Sequence, residues 1–203
     1  MTEHGPYLVE GGLEVRNAQG QALDTSARYA LCRCGGSANK PFCDGTHARI
    51  GFEGTETADR GPIAQRQDHY VGTGVTIHDD RTVCAHAGFC TDNLAAVFKL
   101  GEEPWIDATA ADAETIVNQV KQCPSGALSV TIADDPEPVE DDLPARVVPV
   151  PNGPYRVSGG VEVLAADGTS YEVRNRQTLC RCGGSPNKPF CSGTHWYIGF
   201  KAP

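Results

Sequence analysis

The sequence predicts an α+β protein with two small β-rich units at its ends and a mixed αβ unit between them. Three observations predict it. The stretch from Cys32 to His47 returns as the stretch from Cys180 to His195, with every Cys and His displaced by 148 positions. Short apolar alternations set between glycine pairs accompany both copies. The chain between the copies carries a different pattern: strand, cysteine loop, helix, helix, strand.

The first unit opens with Gly5-Pro6-Tyr7-Leu8-Val9 and Gly11-Gly12-Leu13-Glu14-Val15, which read as two small strands joined by tight turns. The last unit copies it. Gly153-Pro154-Tyr155, Gly159-Gly160-Val161-Glu162-Val163 and Leu179-Cys180 answer Gly5-Pro6-Tyr7, Gly11-Gly12-Leu13-Glu14-Val15 and Leu31-Cys32, and Ile198-Gly199-Phe200 answers Ile50-Gly51-Phe52. A whole fold unit is duplicated. In the middle, Tyr70 to His78 is expected as one strand and Leu128 to Ile132 as another. Thr109 followed by Asp112 reads as an N-cap with an acidic third position, and Ile116, Val117 and Val120 give one apolar face before Pro124. Asp92 to Phe98 is expected as a shorter helix. Asp134, Asp135, Glu137, Glu140, Asp141 and Asp142, interrupted by Pro136, Pro138 and Pro144, read as a solvated linker. The expected domains are residues 1–62 and 150–203 for the duplicated units, 63–133 for the middle unit and 134–149 for the acidic, proline-rich linker.

The formal net charge of -9 and a pI near 5.1 argue against a nucleic-acid partner, which needs a basic surface to neutralise phosphate. No apolar amino-terminal run resembles a secretion signal and no stretch is apolar enough to span a bilayer, so a cytoplasmic protein with no membrane partner is expected. Nine cysteines, an odd number, fit disulfide pairing poorly, and a reducing compartment keeps such thiols for metal. The sequence has no nucleotide-binding glycine fingerprint and no nucleophile set, so an enzyme is not expected.

The chemistry sits in the loops. Cys32 and Cys34, then Cys43 after eight residues, then His47 after three more, can close around a small metal centre because glycines and a proline bend the backbone tightly. Cys180, Cys182, Cys191 and His195 repeat the set. Pro41 is expected to start a short helix that carries Cys43 and His47 on one face. Gly45 and Gly193 would let the backbone approach a bound group without a Cβ, and Ser37 and Ser185 offer hydroxyls. A zinc site of three thiolates and one histidine is the alternative that the ligand types permit. Zinc modules usually carry Cys-x-x-Cys knuckles, and neither loop contains one. His4, His69 and His78 lie outside any such constellation.

Through Cys32, Cys34, Ser37, Pro41, Cys43, Asp44, Gly45, Thr46 and His47 the first loop closely resembles the CDGSH iron–sulfur domain family, and the second loop resembles it too. The resemblance implies a 2Fe-2S cluster in each loop, with the two early cysteines on one iron and the third cysteine and the histidine on the outer one. A neutral imidazole in place of a thiolate raises the potential of such a cluster, and its free ring nitrogen makes potential and retention depend on pH. Units of this family pair about a twofold axis, which implies a pseudo-dimer of the two end units within one chain. The departure is Ser192, where the first loop has Asp44. No ligand is lost, but the two clusters are expected to differ in lability or potential.

Cys84-Ala85-His86-Ala87-Gly88-Phe89-Cys90 and the remote Cys123-Pro124 resemble a ferredoxin cluster loop with one position missing, since the second cysteine would fall at Ala87. The stretch from Tyr70 to Ile132 resembles the divergent mono-cluster ferredoxin domain through Arg81, Cys84, His86, Gly88, Cys90, Pro104-Trp105-Ile106 and residues 123–129. This implies a ferredoxin-like αβ domain with a 3Fe-4S centre on Cys84, Cys90 and Cys123, or a 4Fe-4S centre if His86 caps a fourth iron. Trp105 and Phe89 are read as packing residues. The nine cysteines then divide three, three and three with none left over. The expected function is one-electron transfer between redox partner proteins, a reductase or an electron acceptor, provided the units dock closely enough to exchange electrons. The rival readings are a cluster carrier or iron/redox sensor, and purely structural clusters.

Overall fold

Short strands pinned by turns make up the two ends of the chain, and helices enter where the apolar spacing changes in the middle. The computed structural model describes residues 1–133 and 135–203. In chain order the strands are β1 (Tyr7–Glu10), β2 (Glu14–Val15), β3 (Arg28–Leu31), β4 (Asp68–Val71), β5 (Val75–Asp79), β6 (Leu128–Ile132), β7 (Arg146–Pro149), β8 (Tyr155–Ser158) and β9 (Arg176–Leu179). The helices are α1 (Thr46–Arg49), α2 (Phe89–Asn93), α3 (Ala113–Val120) and α4 (Thr194–Tyr197). The architecture is α+β. One compact unit comprises residues 1–61 and 143–203, the other residues 62–142.

In the first unit β1 and β3 form an antiparallel pair, with Tyr7 opposite Leu31. The other sheet runs β2-β7-β8-β9, so a strand from the first copy joins the sheet of the second. There Glu14 and Val15 run parallel to Arg146 and Val147. Val15, Val147, Tyr155 and Val157 are buried along this sheet, and Leu31 and Leu179 are buried in equivalent places of the two copies. The chain after α1 then lies along the second copy. Thr57 N and Ala58 N donate to Lys188 O at 2.9 and 3.0 Å, and Arg60 pairs with Asp167 at 2.7 Å.

The second unit is a three-stranded antiparallel sheet in the order β4-β5-β6 with α3 packed on β6. The single strand expected from Tyr70 to His78 is a hairpin instead. Gly72, Thr73 and Gly74 turn the chain, closed by Gly72 N donating to Val75 O at 2.8 Å, because Gly74 supplies the left-handed φ of 69° that the turn requires. The strand expected at Leu128–Ile132 is β6. Asp112 itself caps α3, accepting from Thr115 N at 2.8 Å, whereas Thr109, expected as the cap, bonds Asp107. The shorter helix expected over Asp92–Phe98 is α2, one turn earlier. Its shift follows from Gly88, whose φ of 83° lets the helix begin directly behind it.

Ile77, Phe98, Ile106, Ile116, Val120 and Val130 fill the core between sheet and α3, each at 2% exposure or less. At about 1.5–3 kcal/mol for each large side chain buried, this core is what holds the cysteine loops in place. One loop leaves the end of β5 through a 3-10 turn over Arg81–Val83, which Asp80 caps by accepting from Thr82 N at 3.0 Å. Cys123 leaves the end of α3, its N–H donating to Val120 O at 3.0 Å.

The stretch expected as a linker is divided. Asp134, its first residue, lies outside the described residues. Val139 packs on the core of the middle unit and its N–H donates to Val130 O at 2.8 Å, while Asp141 pairs with Lys121 at 2.7 Å. Residues 146–149 form β7 in the other unit. Val139 and Val147 have apolar partners available, and that outweighs the solvation of the acidic residues around them.

Candidate metal centres

In each copy β3 or β9 delivers the first two cysteines, and a bend returns the chain beside them. Leu31 and Phe42 pair across a single bridge, as do Leu179 and Phe190, and Cys32 N and Cys180 N donate to Pro41 O and Pro189 O, each at 2.8 Å. Pro41 therefore sits in a tight turn, closed by Phe42 N donating to Asn39 O at 2.9 Å just before the bridged Phe42, and does not start a helix. The helix begins only at Thr46, behind Gly45, whose φ of 83° is left-handed. A Cβ on Gly45 would meet no atom within 4 Å among the described residues beyond its chain neighbours, so its φ is what calls for glycine. Gly193 stands in the same conformation before α4, at φ 77°.

The expected ligands come together in pairs. Cys32 Sγ and Cys34 Sγ are 3.9 Å apart, and Cys43 Sγ lies 3.4 Å from His47 Nδ1. The second copy repeats this at 3.9 Å for Cys180 and Cys182 and 3.5 Å for Cys191 and His195 Nδ1. Among the described residues no group of three His, Cys, Asp or Glu side chains gathers as a single ion would need. Two pairs suit a centre with two metal atoms better than one tetrahedral ion. Backbone amides also point at sulfur, Gly36 N at Cys34 Sγ and Gly193 N at Cys191 Sγ, both at 3.4 Å. The donor set and its surroundings fit an iron–sulfur group. Ser37 and Ser185 are turned inward: each hydroxyl donates to the carbonyl of Phe42 or Phe190 at 2.7 Å and accepts from Asn39 N or Asn187 N. They brace the loops.

The two loops meet back to back. Cys34 and Cys182 form an antiparallel bridge, and a Cβ on Gly35 would stand 2.6 Å from Cys182 O, one on Gly183 2.8 Å from Cys34 O. Tyr7 Oη donates to Cys180 O and Pro189 O at 2.8 and 3.0 Å, while Tyr155 Oη donates to Cys32 O and Pro41 O at 2.8 and 2.9 Å. Each copy thus clamps the other's loop. Burial raises both phenols well above their ordinary pKa, so they remain donors. Arg33 and Arg181, the residues inside the Cys-x-Cys pairs, are fully buried and donate to backbone carbonyls: Arg33 to Thr2, Glu3 and Gly54, Arg181 to Val150 and Pro203. Sequence reasoning missed these four residues. The available signal was their identity in the two copies.

In the middle unit Cys84, Cys90 and Cys123 line one cavity of about 490 Å³. His86 N–H bonds the Cys84 thiol, Thr91 N–H bonds that of Cys90, and Arg81 Nη1 lies 3.7 Å from Cys84 Sγ. Burial pushes the Cys84 and Cys90 thiols up, so loading a metal must displace protons. These donors favour bound thiolates, and the cavity fits a cluster. His86, at a φ of 52°, is exposed and also lines the cavity. Phe89 is half-exposed, whereas Trp105 is buried in the core. Trp105 also carries Arg81 stacked 3.7 Å from its ring centre, and its Nε1 donates to Asp79 Oδ2 at 3.1 Å. His69 and His78, expected to lie outside the cysteine constellations, are cross-strand partners with their Nδ1 atoms 2.7 Å apart.

Three cysteine loops with amides aimed at sulfur define an iron–sulfur protein. More particularly, the chain belongs to the iron-binding zinc finger CDGSH type, matched at residues 4–48 and 152–196, with a divergent 4Fe-4S mono-cluster domain matched at residues 70–133. It is also similar to the "Uncharacterized protein YjdI" of Escherichia coli strain K12 and of Escherichia coli O157:H7. Each is 34% identical over 59 residues, 29% of this chain and 78% of the relative. Among the described residues no helix is long and apolar enough to cross a membrane.

Proposed function

We propose that the chain is a non-catalytic, cytoplasmic one-electron carrier with three clusters, serving a reductase or an electron acceptor and binding neither nucleic acid nor membrane. Cys32, Cys34, Cys43 and His47 hold one 2Fe-2S cluster, and Cys180, Cys182, Cys191 and His195 hold the other. Cys84, Cys90 and Cys123 hold a 3Fe-4S cluster in a ferredoxin-like domain, which becomes 4Fe-4S if His86 ligates. The two end units pair as an intrachain pseudo-dimer around domains near 1–62 and 150–203. The clusters supply reversible one-electron redox chemistry; the chain's residues orient the thiolates, surround them with donors and keep water from the inner ligands.

One observation carries the reading: the two end loops, each with its ligands in pairs, touch at Cys34 and Cys182 and share reciprocal tyrosine clamps. Adjoining loops of this kind favour electron exchange over independent structural roles. A cluster carrier or iron/redox sensor is the second reading, favoured by the partial exposure of Cys43 and His47. Anaerobic potentiometric titration separates the two. An electron carrier cycles reversibly with its iron retained. Prompt movement of a cluster to an apo-ferredoxin, with loss of iron on cycling, contradicts that assignment and supports the carrier of clusters.

A further inference from the structure

Asp79 ends β5 at the wall of the cysteine cavity and is 1% exposed. Its two oxygens are not equivalent. Oδ2 accepts from Trp105 Nε1 at 3.1 Å and faces Arg81 Nε at 3.3 Å. Oδ1 is buried and has no hydrogen-bond partner among the described residues. A buried carboxylate with an unsatisfied oxygen is costly, and proteins keep such a group where its ionisation has a use. The same Arg81 reaches Cys84 Sγ at 3.7 Å, so one guanidinium joins the acid to a cluster thiolate.

Resting on the iron–sulfur reading of this cavity, we propose that Asp79 Oδ1 is the proton acceptor linked to reduction of the middle cluster. When the cluster gains one electron from a one-electron donor, the Asp79 carboxylate binds one proton from solvent and becomes a neutral carboxylic acid. Added negative charge on the cluster is matched by charge lost at Asp79. Oδ2 keeps its indole donor throughout, so the side chain need not move. Arg81, freed from half of its obligation, concentrates its positive charge on the thiolate. Asp79 acts as a positioning residue for the proton and touches no ligand.

The surroundings agree. Asp80 and Arg81 follow Asp79 in the 3-10 turn beyond β5, β4 brings Asp68 and Tyr70, the loop before α3 brings Trp105 and Glu103, and β6 sets Leu128 opposite. Lys99, Glu102 and His86 line the same cavity, Lys99 paired to Asp107 at 3.0 Å. Asp80 is itself paired with Arg66 at 3.0 Å. Burial is the main cause that already raises Asp79 to about 6, with Arg81 and Trp105 opposing it. A reduced cluster nearby adds repulsion of the same sign, so proton binding follows the electron at neutral pH.

The test is a potentiometric titration of the full chain followed by the middle cluster's own EPR signal between about pH 6 and about pH 8. The expected result is a potential that falls by up to about 59 mV for each tenfold drop in proton concentration. Asp79→Asn, which keeps an acceptor for Trp105, should retain the signal and lose the slope. Reduced-minus-oxidised infrared spectra of the wild type supply a second readout: a carboxylic-acid carbonyl band that appears on reduction and shifts in heavy water. That readout decides the matter should Asp79→Asn not fold. A cluster whose potential is flat across the range, or a slope that survives in Asp79→Asn, overturns the inference while leaving the iron–sulfur reading intact. A chain that takes up no iron and sulfide at Cys84, Cys90 and Cys123 overturns both.

Discussion

The two end loops carry the same ligands at the same spacing, yet they are not equally protected. Cys191 and His195 are 3% and 4% exposed, whereas Cys43 and His47 are partly open to solvent. The residues after the histidine explain part of this. The first loop continues with Ala48 and Arg49, the second with Trp196 and Tyr197, and the Trp196 ring lies 5.1 Å from that of His195. The carboxylate of the first loop has also been replaced. Asp44 accepts from Ala38 N at 2.8 Å and from Thr46 N at 3.0 Å, tying the cysteine loop to the helix start. In the second copy Pro186 stands where Ala38 stood and has no N–H to give, and Ser192 bonds Thr194 Oγ1 at 2.9 Å instead. Duplicated ligand sets therefore give duplicated chemistry but separately set access, because shielding depends on neighbours that need not be ligands.

The largest effect expected is the loss of one whole cluster. Cys43→Ala and Cys191→Ala should each remove one cluster's iron and sulfide and spare the other copy, as read by metal analysis. Loss of both from either variant would mean that the loops assemble only together. Smaller, but still severalfold, is a difference in chelation: iron should leave the first loop faster than the second under excess chelator, and Trp196→Ala should bring the second toward the first. Equal rates in the wild type would break the contrast.

Tyr7→Phe and Tyr155→Phe probe the symmetric part of the pair. Each leaves buried carbonyls short of a donor, so each should cost about 1–3 kcal/mol in a denaturant titration of the metal-loaded protein. Because the clamps are reciprocal, the two costs should match within error.

The smallest effect is expected from Asp44→Ser and Ser192→Asp. The first should shorten cluster lifetime in its loop, and the second should change little, since Pro186 offers no donor. The amide of Ala38, then the hydroxyl and amide of Thr46, hold the Asp44 carboxyl far below its ordinary pKa of 3.8. A depressed folded-state pKa contributes stability that is complete above that ordinary value and fades as pH falls below it. The gap between wild type and Asp44→Ser should therefore be widest at neutral pH and close as the solution is acidified below about pH 4.

The metal loops were legible because their ligands lie within sixteen residues and return after 148 positions with no insertion. So were α3 and β6, whose apolar spacing is regular and local. What stayed hidden depends on partners far along the chain. Nothing near Tyr7 shows that its hydroxyl reaches Cys180 O, 173 residues away. Pro41 resembles a helix start until Leu31 claims Phe42 across a bridge. Gly72-Thr73-Gly74 looks like part of one strand because both flanks are apolar and β-branched, and only pairing of Tyr70 with Ile77 exposes the turn. Asp79 was not singled out, since a lone acid in a strand declares neither its burial nor its unpartnered oxygen.

The most direct measurement is anaerobic iron and sulfide analysis of the full chain, with low-temperature EPR before and after dithionite. Three clusters on nine cysteines predict iron and sulfide in near-equal amounts, reduced 2Fe-2S signals, and a separate signal from the middle cluster, present as isolated for 3Fe-4S or only after reduction for 4Fe-4S. Colourless protein that holds zinc and no sulfide would contradict the account.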